Sequence, residues 1–176
     1  MKKFITTTFK SIKLAYGRLF PVPAVQNSIA VFFDGDSVNV KLFSDLASKI
    51  PQNAKFWWVM TAGASMPKKV KASGATIEAS PNIGKESVDM LLAMLAMQQC
   101  CANSSLKEVH VISSDGDTLE ILLNLARRFE NINFFWGYPN SSPRSKKSTI
   151  ASVNLPANIF VNKISESRPL AAKSKV

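Results

Sequence analysis

The sequence predicts an α/β fold: a three-layer α/β/α sandwich built on a mostly parallel sheet. Three observations carry that reading. Short apolar runs of β type recur along the chain, segments with one apolar helical face separate them, and carboxylates follow two of the runs directly. Strands alternating with helices imply right-handed crossovers and parallel pairing. Charged side chains at strand ends add nothing to a core. At the carboxyl ends of parallel strands they line the crevice where open α/β sheets bind ligands.

The elements follow in order. Residues 1–20 place Ile5, Phe9, Ile12, Tyr16 and Leu19 on one face of a helix, with the lysines mostly elsewhere, and Pro21 and Pro23 end it. Such a basic amphipathic arm, spanning 1–27, suits a targeting peptide, a membrane-surface helix, a partner-binding or dimerising arm, or a helix packed on the domain. The domain spans 28–164. Its strands are expected at Ile29–Phe33, Lys55–Met60, Ala75–Ala79, Glu108–Ile112, Asn133–Trp136 and Ile159–Val161. Helices are expected at Val40–Ser48, Ser87–Cys101 and Thr118–Phe129, with a short one between Gly63 and Gly74. Trp57 and Trp58 lie in a strand, where core packing outranks base stacking. His110, mid-strand, reads as structural. Residues 165–176 read as a disordered basic tail.

At 176 residues and 46% hydrophobic content the chain can bury one real core. No apolar stretch approaches the roughly 20 residues of a membrane span. Cys100 and Cys101 are adjacent in a helix and offer neither a disulfide framework nor a zinc site; they read as reduced thiols in a reducing, cytoplasmic compartment. The net charge of +10 is unevenly spread. Residues 1–33 carry five basic side chains and no acid, and residues 139–176 carry seven against Glu166. Subtracting these arms, +5 and +6, from +10 leaves −1 for the middle. A near-neutral domain flanked by basic arms points to a phosphate-rich partner, a nucleic acid, because neutralising phosphates releases counterions.

The acids fall in three places: Asp34 and Asp36 after the first strand, Asp89 in the first turn of a helix, and Asp115 and Asp117 after the fourth strand. Singly each has a local role. Asp34-Gly35 and Asp115-Gly116 suit turns, Asp89 suits a helix N-terminus, and Asp36 and Asp117 suit helix caps. If the first and fourth strands are neighbours, Asp34, Asp115 and Asp117 meet where the strand order reverses, and Asp89 leans over the same point. Acids gathered so would repel without a cation, and Mg²⁺ and Mn²⁺ prefer carboxylate and water oxygens.

Phe33-Asp34-Gly35-Asp36-Ser37, Lys85-Glu86-Ser87-Val88-Asp89 and Ser113-Ser114-Asp115-Gly116-Asp117 resemble the three motifs of NYN domains, members of the PIN-like nuclease superfamily. The similarity runs from about Ile29 to Val161. It implies a PIN-like, Rossmann-like sheet and a metal-dependent ribonuclease. Asp34, Asp89, Asp115 and Asp117 would be the catalytic, metal-binding acids for Mg²⁺ or Mn²⁺. Asp36 and Ser37 would stand on the substrate side, Ser113 would support the site by hydrogen bonding, and Lys85 would meet a phosphate. Lys68, Lys69 and Lys71 would add a phosphate-tracking rim. Two positions depart from the family: Ser37 replaces its usual asparagine, and Thr118 its aromatic after the last acid.

Two other readings remain open. The same fold with an inert site would be an RNA- or protein-binding module, which the Ser37 and Thr118 departures favour. Asp34-x-Asp36-x-Val38 also resembles the nucleophile motif of haloacid dehalogenase-type phosphatases. There Asp34 would attack phosphorus, Asp36 would act as acid and base, and Asp89 would have no role.

Overall fold

The computed structural model describes residues 27–81, 86–139 and 155–164. Ten elements follow in order: β1 (Ile29–Asp34), α1 (Val40–Ala47), β2 (Ala54–Met60), α2 (Lys68–Lys71), β3 (Thr76–Ala79), α3 (Ser87–Ala102), β4 (Glu108–Ile112), α4 (Asp117–Arg128), β5 (Asn133–Pro139) and β6 (Ile159–Ile164). The six strands form one sheet in the order β3-β2-β1-β4-β5-β6. Every pairing is parallel, so the sheet is wholly rather than mostly parallel.

Strand alternation sorts the core into two layers. Ala30 and Phe32 of β1 join Trp57 and Val59 of β2, Val109 and Val111 of β4, and Phe134 and Trp136 of β5 under α3 and α4. Val31 and Phe33 point the other way and pack with Trp58, Met60, Leu42 and Phe43 of α1 and Val70 of α2. The adjacent tryptophans thus enter opposite layers, and both are buried. Trp57 stacks on Phe32 at 4.7 Å, and Trp58 meets Phe43 edge-on at 5.0 Å. The helices on each face follow from right-handed crossovers: β1, β2 and β3 progress one way, and the chain then recrosses to β4, β5 and β6.

Two boundaries differ instructively from the sequence expectation. β5 runs past Trp136 through Gly137 to Pro139, and β6 reaches Ile164. Glycine reads as a strand breaker, but here its missing side chain is filled by neighbours. A Cβ at Gly137 would lie 2.6 Å from Ile164 Cδ1 and 2.7 Å from Ile112 Cδ1. β6 is anchored from below by Asn158, whose side-chain amide donates to the carbonyls of Ala126, Phe129 and Ile132. The helix caps also differ. Asn39, not Asp36, caps α1, its Oδ1 accepting the Leu42 N–H at 2.8 Å. Gly116 occupies the cap position of α4, and Asp117 is its first helical residue.

Gly35, between Asp34 and Asp36, is there for clearance. Its N–H donates to the Val59 carbonyl at 2.6 Å. A Cβ would sit 2.5 Å from Trp58 Nε1 and 2.8 Å from the Val59 oxygen. Gly116, in the matching triplet, has nothing within 4 Å of a Cβ and a φ of −70°. Gly35→Ala is therefore expected to cost ~1–3 kcal/mol through overpacking, while Gly116→Ala is tolerated. Urea unfolding of the two variants checks this; equal losses would contradict it.

Candidate functional site

β1 and β4 are neighbours, with β2 and β3 on one side and β5 and β6 on the other. The strand order reverses between them, so a crevice opens at their carboxyl ends. Asp34 is the last residue of β1, and Ser113 to Asp117 follow β4 directly. The register holds Phe33 opposite Ile112, which sets Asp34 beside Ser113.

Asp34 is only 4% exposed. A buried carboxylate needs hydrogen bonds to offset its lost hydration. Its Oδ1 accepts the Asp36 N–H at 3.1 Å, and its Oδ2 accepts the Ser113 hydroxyl at 2.7 Å. Ser113 is wholly buried. Its one hydroxyl proton goes to Asp34, so its oxygen accepts from its other neighbours: the Asp115 N–H at 2.9 Å and the Ser37 hydroxyl at 3.2 Å. Ser37 Oγ in turn accepts the Ser114 N–H at 2.8 Å. Two serines thus staple the loop after β1 to the loop after β4.

The two Asp-Gly-Asp triplets share one local geometry. Asp34 Oδ1 accepts the N–H of Asp36, and Asp115 Oδ1 accepts the N–H of Asp117, each at 3.1 Å. The expected turns therefore form, and they coexist with the convergence of the acids. Asp89 reports that convergence. Its carboxyl is pushed up to about 6, first by burial and then by the negative charges of Asp34, Asp115, Asp117 and Glu86. Four aspartates from three separate segments lie within electrostatic reach of one another. Asp89 gets there because β3 and α3 are stitched to the sheet: the Ser80 N–H donates to the Met60 carbonyl at 2.9 Å, and the Ser80 hydroxyl donates to Ser87 Oγ at 2.8 Å.

The other expected site residues are distributed differently. Asp36 is drawn away to β2, where its Oδ1 accepts the Thr61 N–H at 3.1 Å and its Oδ2 accepts the Thr61 hydroxyl. Lys68 and Lys69 are exposed on α2, which packs with α1 on the face opposite α3 and α4. Lys85 lies outside the described residues, as do residues 1–26, 140–154 and 165–176 of the basic arms. Sequence reasoning missed Thr61, Ser80 and Glu86. Thr61 carries no local signal, because it meets Asp36 only through the pairing of β1 with β2.

The donor chemistry at the crevice is hard and anionic, suited to a cation such as Mg²⁺ or Mn²⁺ and to neither zinc nor a soft metal. Among the described residues, no three His, Cys, Asp or Glu side chains already form a group able to grip one ion. Mg²⁺ does not need such a cage, since it keeps several waters and takes only one or two carboxylates directly. Asp34 fits that demand: each of its oxygens holds one hydrogen bond and retains acceptor capacity.

No protein-family model matches this chain, and no curated protein matches it. The similarity to NYN domains stands on the three motifs alone. Among the described residues no helix is long and apolar enough to cross a membrane, and Cys100 and Cys101 are buried and form no disulfide. His110 is a structural side chain, stacked on Phe135 at 4.3 Å and bonded to Glu108 at 2.8 Å.

The raised Asp89 carboxyl has a sign that can be measured. Between its ordinary value of 3.8 and about 6, the folded state retains a proton that the unfolded chain has released. Stability should therefore fall as pH rises through that window. Thermal unfolding without divalent ions, from pH 4 to 7, is expected to show this decline, and Asp89→Asn should flatten it. An identical slope in the variant would show that the Asp89 carboxyl is not raised in the folded state.

Proposed function

We propose that this protein is a metal-dependent ribonuclease that hydrolyses RNA phosphodiesters at the β1–β4 switch point. One observation carries the reading: four aspartates from three distant segments meet at one crevice, where Asp89, pushed up to about 6 first by burial, also feels the negative charges of Asp34, Asp115 and Asp117. A fold gains no stability from gathering like charges. Their presence together at a ligand-binding crevice makes sense when a cation joins them.

Asp34, Asp89, Asp115 and Asp117 would hold the ion, and Mg²⁺ or Mn²⁺ bound there would activate a water and neutralise charge on the leaving oxygen. Asp34 is the fixed point, oriented by Ser113 and by the Asp36 amide. Asp115 is positioned by its own amide on Ser113. Asp117 sits in the first turn of α4 and Asp89 in that of α3. Lys85 and the basic arms would draw the RNA backbone across the acids, a need that an acidic crevice creates for any polyanionic substrate.

The phosphatase reading loses support from Asp36. That mechanism needs Asp36 as acid and base beside Asp34, whereas both its oxygens are engaged by Thr61. The reading as an inert binding module gains one point: the Ser37 hydroxyl is spent on the brace between Ser113 and Ser114 rather than turned toward a ligand.

Incubation of labelled single-stranded RNAs with the full chain and Mn²⁺ separates these readings. Cleavage that stops on chelation and falls ~10²-fold or more in Asp115→Asn is expected, by analogy with the loss of a single charge-stabilising group. The variant should keep its fold, because asparagine Oδ1 still accepts the Asp117 N–H. RNA that is retarded but never shortened would establish a binding module. Equal cleavage by Asp115→Asn would end the nuclease proposal.

A further inference from the structure

Away from the acidic crevice, the sheet carries an aromatic row that no described helix covers. His110, Phe135 and Phe160 are in register on β4, β5 and β6. They alternate with Val109, Phe134 and Ile159, which face α3 and α4, so the row lies on the α1 side of the sheet. There α1 and α2 pack over β1 and β2. Phe135 and Phe160 belong to neither core layer, and Phe160 is 41% exposed.

The geometry of the row decides what can sit on it. The His110 and Phe135 rings are 4.3 Å apart and 7° from parallel, and Phe135 and Phe160 are 4.8 Å apart and 16° from parallel. These separations match the strand spacing of about 4.8 Å. The rings therefore stand upright on the sheet, faces against one another, with a ridge of ring edges turned outward. Stacking nucleic-acid bases needs open ring faces, and both faces of Phe135 are taken by its two neighbours in the row. A ridge of edges instead suits the interdigitating apolar side chains of a helix.

We propose that the amphipathic segment 5–19 of this same chain docks on the row, its apolar residues Ile5, Phe9, Ile12, Tyr16 and Leu19 against Phe135 and Phe160. The chain enters the domain beside β4: the amides of Lys107 and Glu108 both donate to the Ser28 carbonyl, at 2.8 and 3.1 Å, and the Asn103 side chain donates to the Asn27 carbonyl at 2.7 Å. From Ser28 to β6 is three strand spacings, ~14 Å. Residues 20–27, extended, span up to ~26 Å, enough to turn and lay the segment across the row. A tether of that length confers a millimolar-range effective concentration that a second molecule lacks. The segment carries Lys2, Lys3, Lys10, Lys13 and Arg18 with no acid, and Glu108 flanks the row at His110. Docking would bury the apolar stripe and leave the lysines outward, on the domain surface. This proposal is independent of the chemistry at the acids.

Hydrogen exchange on the full chain tests it. An isolated helix of this length is marginal in water, so lasting protection of the amides of residues 5–19 requires a partner surface. Those amides are expected to exchange at least ~10-fold slower than in an unstructured peptide, independently of protein concentration. Phe9→Asp, outside the domain, and Phe160→Asp, on an exposed edge position, should each abolish that protection while the strands stay protected. Exchange at the free-peptide rate in the unmodified chain would overturn the proposal. So would protection that survives Phe160→Asp. Protection that fades on dilution would assign the row to a second copy and overturn docking within one chain.

Discussion

A carboxylate buried at the end of a central strand is the constraint on which the site depends. Asp34 is nearly inaccessible, and a charge so placed is tolerated only when its oxygens are bonded. One bond is local, from the amide two residues on. The other comes from Ser113, across the seam where strand order reverses. Satisfying Asp34 therefore fixes how the loops after β1 and β4 meet. Ser113 is saturated in turn by Asp115 and Ser37, so the hydrogen bonds that keep Asp34 oriented also set the backbone that carries the next acid. Removing the Ser113 hydroxyl would leave a buried charge short of a partner, a larger loss than that of a typical surface bond.

The same arrangement gathers like charges. Each aspartate has a local reason to stand where it does: strand end, turn, or the first turn of a helix. Each local interaction is compatible with the others only because the doubly wound topology brings the amino ends of α3 and α4 to the carboxyl end of β1. Helix N-termini and backbone amides soften the repulsion, yet Asp89 still shows its effect. A bound divalent cation would reverse the sign of that local field, turning a mutual strain into a shared set of ligands. Chemistry on phosphodiesters asks for such a field at one point, with positive charge around it to admit the substrate. Basic arms on a near-neutral domain supply the second half of that pattern.

Much of this was legible in the sequence. The continuous apolar runs and the intervening helical stripes marked the strands and helices, and the Asp-Gly-Asp triplets marked the strand ends that matter. What escaped was non-local. Asp36 was grouped with its neighbours in the chain, but its partner is Thr61, reachable only once β2 lies beside β1. The expected fifth strand ends at Trp136, whereas β5 runs on through Gly137, which Ile112 and Ile164 close over from the adjacent strands. Asp36 suited a cap by residue type, but the helix begins later and Asn39 caps it. The place of Asp89 rests on contacts before its helix, the Ser80 amide on the Met60 carbonyl and the Ser80 hydroxyl on Ser87, which no local pattern encodes. Residues 82–85, with Lys85, and residues 1–26, 140–154 and 165–176 of the arms lie outside the described residues.

The most direct test of a shared cation is a crystal of the protein soaked in Mn²⁺, with anomalous scattering used to find the ion. The expected result is one peak at the carboxyl end of β1, about 2.1 Å from oxygens of at least two of Asp34, Asp89, Asp115 and Asp117. A map with manganese bound elsewhere on the molecule, or with no peak among these four side chains at millimolar ion, would contradict the metal centre and the hydrolysis built on it.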